Sequence, residues 1–313
     1  MTQTELAESS AEHALPQPRQ DPARGSSGGT QAILSPQSAD GKCSCGAGGN
    51  PSGAETVIPS YVYALGNIVT RFPTQAVEKE FAQATGRAAT AGQTDRQAFS
   101  SVLAMPQNRY LVRQLCWVLT VGGVETYILQ PRDPADFQLL AEAVRANPQP
   151  TDVDVVIGYR GSIAPPQMCY GLMVPIVVFD QLYSFNVAGL IQAIPRPDSI
   201  PQEKFTQTAE ELFWRTMQMA DNAGATDEHR ALNYLSVRYD AIYAKTAECF
   251  GQNFSLTAVE ARPAPVSGAR RIVDVILTFT HRETDIDQKH AVRVDVTEMF
   301  PFLVTKLSPY LDR

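Results

Sequence analysis

The sequence predicts an α+β fold, a largely antiparallel sheet with a long helical hairpin and additional shorter helices. Three observations lead to this prediction. Segments of β character come first, two long helical segments follow, and β character returns towards the end of the chain. Only the four residues Asn222, Ala223, Gly224 and Ala225 separate the two long helical segments. A connection this short predicts that the two helices pack as an antiparallel hairpin.

The chain has 313 residues and two regions of different composition. Residues 1–56 are rich in Ser, Gly, Pro, Gln and Ala, with few bulky apolar side chains. Such a stretch buries too little surface to offset its ordering entropy, so we predict a disordered tail or linker. Residues 57–313 form the predicted folded domain. A division into two subdomains, at about 57–197 and 198–313, is a further expectation.

The folded domain is predicted to begin with one strand and two helices. Residues 57–66 mix β-branched and aromatic side chains, which indicates a strand. Residues 73–86 carry Pro and Thr at the start, apolar side chains at helical spacing and a final Gly, which predicts a helix. A second helix is predicted at 94–104, capped by Thr94 or Asp95.

A hairpin and a helix come next. The strands 115–121 and 124–130 flank Gly122-Gly123, a two-residue sequence typical of tight hairpins. Residues 133–147 begin with Asp and Pro and continue with helical spacing, which predicts a helix. Two strands and a short helix are then predicted, at 151–163, 171–179 and 186–194.

The last part of the domain contains the helical hairpin and three strands. We predict helices at 201–222 and 226–250, and strands at 256–266, 271–283 and 290–307. Acidic residues alternate with apolar ones along several strands, as in a sheet with one solvated face. These acids are Asp152, Asp154, Asp274, Asp295 and Glu298.

Composition excludes some classes of protein. The net charge of -7 and the pI near 5.2 argue against a general nucleic-acid binder. No apolar run reaches the roughly 18 residues that a membrane span needs, and the start of the chain lacks the pattern of a secretory signal. Five cysteines, three of them single in apolar segments, fit a reducing compartment better than a disulfide framework. These features predict a cytoplasmic protein.

No catalytic or cofactor motif is present. The sequence contains neither a phosphate-binding GxxxxGK[ST] nor a GxGxxG, GxSxG or HExxH pattern, and we predict no cofactor. His229 lies in the predicted first turn of a helix, where Thr226 and Glu228 resemble capping residues. His281 and His290 flank a predicted hairpin turn and are expected to be exposed. None of them has a recognisable nucleophile beside it.

The cysteines offer only a weak metal site. Cys116, Cys169 and Cys249 are expected to be small buried hydrophobes. Cys43 and Cys45 lie one residue apart in a linker-like segment, and a structural zinc site needs four ligands, usually at wider spacing. A tether with incidental or partner-directed thiols is the favoured interpretation, and zinc binding, a redox pair and a peptide awaiting modification are the alternatives.

Several polar residues are embedded in apolar sequence. We select Arg109, Arg113, Asp180, Asp221 and His229 as candidates for peptide or partner binding. Arg132 beside Asp133, and Asp221 beside Asn222, are of the same kind. The alternative interpretation is that such residues form ion pairs that anchor loops.

A series of phrases resembles a known family. They occur in order from about Val57 to the end of the chain, and include NRYLVRQLCWVLTV, ETYILQPRDPADFQLL, APPQMCYGLMVPIVVFDQLYSF and MQMADNAGATDEHRALNYLSVRY. Together they resemble the C-terminal domain of the PatG-type cyanobactin maturation proteases, which make cyclic ribosomal peptides. In that family the domain follows a subtilisin-like protease through a linker, and it has no assigned catalytic residue.

The resemblance implies a function without catalysis. Residues 1–56 hold no protease signature, so the chain is expected to be the accessory domain without its protease. The implied partners are a precursor peptide or maturation enzymes of a cyanobactin-like pathway, and a homodimer is a further possibility. An extended peptide bound at a sheet edge is one implied mode. The alternative is an enzyme of unrecognised type that acts on a modified peptide.

Overall fold

The computed structural model describes residues 60–87, 92–219, 221–265 and 268–311. It confirms the α+β class and shows two sheets in place of one. The first sheet consists of five strands that close into a barrel in the order β1-β2-β3-β5-β4. Their bounds are β1 Tyr61–Arg71, β2 Cys116–Val121, β3 Val124–Pro131, β4 Asp152–Ile163 and β5 Pro175–Asn186.

All neighbouring barrel strands are antiparallel except β3 and β5, which pair in parallel. One face of every strand contributes to a single apolar cluster, so this cluster fills the barrel. Two glycines allow the strands to approach closely: a Cβ at Gly66 would lie 2.2 Å from the carbonyl oxygen of Thr120, and one at Gly158 2.2 Å from that of Val178.

Four short helices continue the core at one end of the barrel. They are α1 Gln75–Arg87, α2 Asp95–Ala104, α3 Arg109–Gln114 and α4 Phe137–Ala143. They lie in the connections from β1 to β2 and from β3 to β4, and buried side chains from all four belong to the cluster inside the barrel. Thr94 caps α2 as predicted, through a reciprocal capping box with Gln97. We refer to these helices as the capping layer.

The second half of the chain adds helices and a second sheet. The helices are α5 Val187–Ala193, α6 Gln202–Met217, α7 Asp227–Arg238 and α8 Ala241–Gly251. The strands are β6 Phe254–Pro263, β7 Ile272–His281, β8 Asp287–Asp295, β9 Phe302–Leu303 and β10 Ser308–Pro309. The sheet order is β10-β8-β7-β6, with β9 also paired to β8. One large cluster joins the outer faces of β1 and β4, the helices and this sheet, so the helices lie between barrel and sheet.

Several predicted elements have other bounds in the structure. The helix expected at 201–222 ends at Met217, and the strand expected at 171–179 runs from Pro175 to Asn186. The helix expected at 226–250 is interrupted at Tyr239, where the Tyr243 hydroxyl donates to the carbonyl oxygen of Ser236 and satisfies a helix end. The strand expected at 290–307 ends at Asp295, because the Arg230 guanidinium binds the carbonyl oxygens of Val296, Glu298 and Met299. The helix expected at 133–147 ends at Ala143.

Four acids expected on a solvated face are buried instead. They are Asp152, Asp154, Asp274 and Asp295. Asp154, 1% exposed, accepts hydrogen bonds from the Ile68 amide and the Ser184 hydroxyl, and Arg145 lies 3.3 Å away. Burial raises the pKa of Asp154 in spite of these partners. His290 was also expected to be exposed, and it is buried against Phe279 because the helices cover that face of β8.

Candidate functional site

Helix α3 presents two arginines on its exposed face. Leu111 and Val112 are buried in the barrel core, and the Trp117 indole donates to the carbonyl oxygen of Val112, which fixes the end of the helix. Arg109 and Arg113 are four residues apart and therefore lie on the same side of the helix. Both side chains are exposed.

A cleft of about 400 Å³ lies between α3 and the start of α4. Its polar lining residues are Arg109, Arg113 and Gln138, and its apolar lining residues are Val112, Pro134, Ala135 and Phe137. The Asp133 carboxylate accepts from the Ala135 amide at 2.8 Å and caps the short 3-10 helix Pro134–Asp136, which forms one wall. A volume of this size falls in the range typical of small-ligand sites.

The two cleft arginines differ from most other arginines of the domain. Within the described residues, neither Arg109 nor Arg113 has a carboxylate at ion-pair distance. By contrast, Arg132 lies 2.6 Å from Asp180, and Arg293 lies 2.7 Å from Asp274. The Arg109–Arg113 cleft therefore offers two guanidinium groups whose donors remain available to a ligand.

Asp180, another predicted site residue, has a different position. Its Oδ1 accepts from Arg132, which also lies over the ring of Tyr159 at 4.8 Å from the centroid. Its Oδ2 is buried and has no hydrogen-bond partner among the described residues. The pKa of the nearby Asp136 is raised by burial and by the negative charges of Asp133 and Asp180. This arrangement fits the alternative interpretation of an ion pair that anchors a loop.

Asp221 and His229 lie together at the connection between α6 and α7. Asp221 has a φ of 57°, in the left-handed region. The His229 amide donates to the Thr226 hydroxyl, as the predicted cap requires. The pKa of His229 is lowered by burial, which Glu228 and Asp221 partly oppose, and its Nδ1 has no hydrogen-bond partner among the described residues.

The structure thus brings together two pairs of the five predicted site residues and leaves Asp180 separate. No hydrogen bond or ion pair connects these three places in the part of the chain that the structure describes. Sequence reasoning missed the opposite wall of the cleft, Pro134 to Gln138. A helix was predicted there, but nothing in the sequence indicated that it faces α3.

The cysteine prediction was wrong for one pair. Cys116 and Cys169 form a disulfide, with their Cα atoms 5.5 Å apart. Cys116 begins β2, and Cys169, with a φ of 49°, lies in the turn Met168–Gly171 that covers the outside of β2 and β3. The residues are 53 positions apart, so spacing gave no signal. One argument for a reducing compartment is therefore lost, and cytoplasmic localisation stays a prediction.

Of the three remaining cysteines, the structure describes Cys249. Cys249 is free and buried, as predicted, and burial raises its pKa to about 11. Cys43 and Cys45 lie outside the described residues. Among the residues that the structure describes, no group of three or more His, Cys, Asp or Glu side chains could hold a metal ion. In the same residues, no helix has both the length and the apolar character to cross a membrane.

Comparisons with known proteins agree with this architecture. Residues 199–310, from the start of α6 to β10, match the family model of the PatG C-terminal domain. A solved structure, the PatG Domain of Unknown Function, superposes with a TM-score of 0.66 at 21% identity, covering 80% of this chain and 99% of that chain. No curated protein matches. The predicted resemblance to the PatG C-terminal domain is therefore confirmed, and the Arg109–Arg113 cleft lies outside the residues that the family model matches.

Proposed function

We propose that this domain is a non-catalytic binding module of a cyanobactin-like peptide maturation pathway. It engages a precursor peptide or a partner maturation enzyme, and Arg109 and Arg113 provide the contact. The observation that supports this proposal is the pair of exposed guanidinium groups beside an apolar cleft, without an acidic partner in the described part of the chain.

The cleft suits a peptide better than a nucleic acid. Val112, Pro134, Ala135 and Phe137 supply an apolar surface, and the whole chain carries a net charge of -7. A nucleic-acid site would need an extended basic surface, whereas two arginines can bind one carboxylate through charge-assisted hydrogen bonds.

Closure of the barrel reduces the number of sheet edges at which an extended peptide could add as a strand. A closed barrel has no free edge. In the second sheet, the two-residue strands β9 and β10 cover the outer edge of β8, so β6 is the long outer strand of the described sheet. Peptide addition at β6 is a second mode of binding, and it would not involve Arg109 or Arg113.

The experiment uses the full 313-residue chain as bait for candidate precursor peptides and maturation enzymes. We expect capture by the native chain and loss of capture by Arg109→Ala/Arg113→Ala. The matched control is Lys204→Ala/Lys306→Ala, which also removes two exposed positive charges but not from this cleft. Equal capture by both double variants would contradict the role of the cleft.

Mass spectrometry of the captured peptide separates this proposal from the enzyme alternative. A binding module leaves the peptide mass unchanged. The enzyme alternative predicts that the native chain changes the peptide mass and that Asp221→Ala or His229→Ala, with the fold intact, leaves the mass unchanged. That result would identify an enzyme at the α6–α7 connection instead.

A further inference from the structure

The polar groups of the cleft have a defined hydrogen-bonding character. Arg109 and Arg113 carry only donors. The Gln138 side-chain amide donates to Glu142 Oε1 at 3.0 Å, and no described residue donates to its carbonyl oxygen. The cleft therefore combines two cationic donors with one acceptor. A complementary ligand has one anionic acceptor group and one N–H group.

The surrounding charges limit the negative charge of that ligand. Asp133 and Asp136 are next in the chain to the lining residues Pro134, Ala135 and Phe137, and Glu142 accepts a hydrogen bond from Gln138. None of these carboxylates forms an ion pair with either arginine among the described residues, and they add negative charge close to the lining residues. A single carboxylate is therefore a better match than a phosphate dianion or a polyanion, which the neighbouring acids would repel.

The remaining lining residues are apolar. Val112, Pro134, Ala135 and Phe137 line the same cleft as the two arginines and Gln138. A volume of about 400 Å³ accommodates an apolar side chain together with its main-chain groups. Carboxylate, N–H and apolar side chain occur together in the last residue of a peptide.

We propose that the cleft binds the C-terminal residue of a linear peptide. Arg109 and Arg113 bind its free α-carboxylate, Gln138 accepts from its N–H, and Val112 and Phe137 contact its apolar side chain. This inference rests on the proposed function and specifies the ligand of the same site. It distinguishes a linear peptide with a free C-terminus from a peptide whose C-terminus is blocked or joined in a ring.

The test is fluorescence anisotropy with the full chain and the labelled probe fluorescein-Gly-Ser-Gly-Leu, which ends in a free carboxylate. Two matched probes are the same peptide as a C-terminal amide and the amide of fluorescein-Gly-Asp-Gly-Leu, whose only peptide carboxylate is internal. The carboxylate of the dye is common to all three probes. Removal of a charge-assisted hydrogen bond typically weakens binding by about tenfold or more. We expect a loss of that size for both amides.

Variants of the chain test whether the labelled peptide binds in the cleft. Arg109→Ala/Arg113→Ala should weaken binding of the free acid by at least about tenfold, and Lys204→Ala/Lys306→Ala should leave it unchanged. Arg113→Lys keeps the charge but loses the planar pair of donors, so we expect an intermediate loss. Thermal unfolding of each variant verifies the fold, since substitutions of exposed residues change stability little.

Two results would overturn the inference, with different consequences. If the internal acid binds as tightly as the free C-terminal acid and depends on the two arginines, the ligand is an acidic side chain and the proposed function survives. If no probe binds in a manner that depends on the two arginines, both the inference and the role of the cleft in the proposed function fail.

Discussion

Three arginines of the domain have contrasting environments, two of them in the capping layer and one in the helix and sheet half. In the capping layer, Arg109 and Arg113 are exposed and have no acidic partner among the described residues. In the helix and sheet half, Arg230 is 1% exposed and binds three main-chain carbonyl oxygens, and burial lowers its pKa to about 10. The half that matches the family model uses this arginine to hold the fold, whereas the capping layer leaves two arginines free for a ligand.

The largest expected effect concerns Arg230. Its replacement by Met leaves the carbonyl groups of Val296, Glu298 and Met299 without their donor, so we expect a loss of about 3–5 kcal/mol in the free energy of unfolding. Arg109→Met should change it by less than about 0.5 kcal/mol. Urea unfolding of both variants measures the difference, and similar losses would remove the contrast between the two halves.

The disulfide should give the second largest effect, in the barrel half. It closes a long loop of the unfolded chain, and such crosslinks typically contribute about 2–4 kcal/mol. Cys116→Ala/Cys169→Ala should lower the guanidinium unfolding midpoint and abolish its sensitivity to a thiol reductant. Cys43→Ala/Cys45→Ala serves as the control. A midpoint of the Cys116→Ala/Cys169→Ala variant equal to that of the native chain would contradict a stabilising crosslink.

The close contact between β4 and β5 in the barrel should give a smaller effect on stability, and a second glycine serves as the control. Gly158→Ala places a methyl group 2.2 Å from the Val178 carbonyl oxygen, so we expect a loss of about 1–3 kcal/mol. Gly189→Ala in α5 meets nothing within 4 Å and should stabilise the protein by about 0.5 kcal/mol. Thermal unfolding measures the direction of both changes in stability. A tolerated Gly158→Ala would argue against the close strand contact.

The smallest expected effect is a pH dependence of stability that arises from His290 in the helix and sheet half. The pKa of His290 is lowered first by burial and then by Lys245, while Glu248 acts in the opposite direction. Its folded pKa therefore lies below its unfolded pKa of about 6.5. The contribution of His290 to stability is complete above pH 6.5 and is lost as the pH falls from that value through the lower folded pKa, with a slope of at most about 1.4 kcal/mol per pH unit. His290→Gln should reduce the slope measured by unfolding between pH 7 and 5, and an unchanged slope would exclude His290 as its source.

Local chemistry made part of the fold predictable. Local signals include Thr94 at the start of α2, the turn Gly122-Gly123 and Asn186 before α5, and α2, α5, β2 and β3 lie close to their predicted places. The strand before Asn186, by contrast, extends seven residues beyond its predicted end at 179. Closure of the barrel depends on the parallel pairing of β3 with β5, which no local pattern encodes. For the same reason, the alternation of Asp154 with valines indicated a strand but not that both of its faces are covered.

The candidate site was predictable to a similar degree. Arg109 and Arg113 stood out because they interrupt an apolar segment, and their helical spacing places them side by side. The wall formed by Phe137 and Gln138 comes from a later helix, so only the three-dimensional structure shows that it faces them. The Cys116–Cys169 bond is likewise non-local.

The most direct test of the central claim is an NMR titration that observes arginine Nε–Hε signals of the full chain. The signals of Arg109 and Arg113 are assigned by their loss in Arg109→Lys and Arg113→Lys. On addition of the peptide Gly-Ser-Gly-Leu with a free C-terminus, the account predicts that these two signals shift and that the Arg230 signal does not. Shifts confined to other arginines, or no shift at Arg109 and Arg113 at saturating peptide, would contradict it.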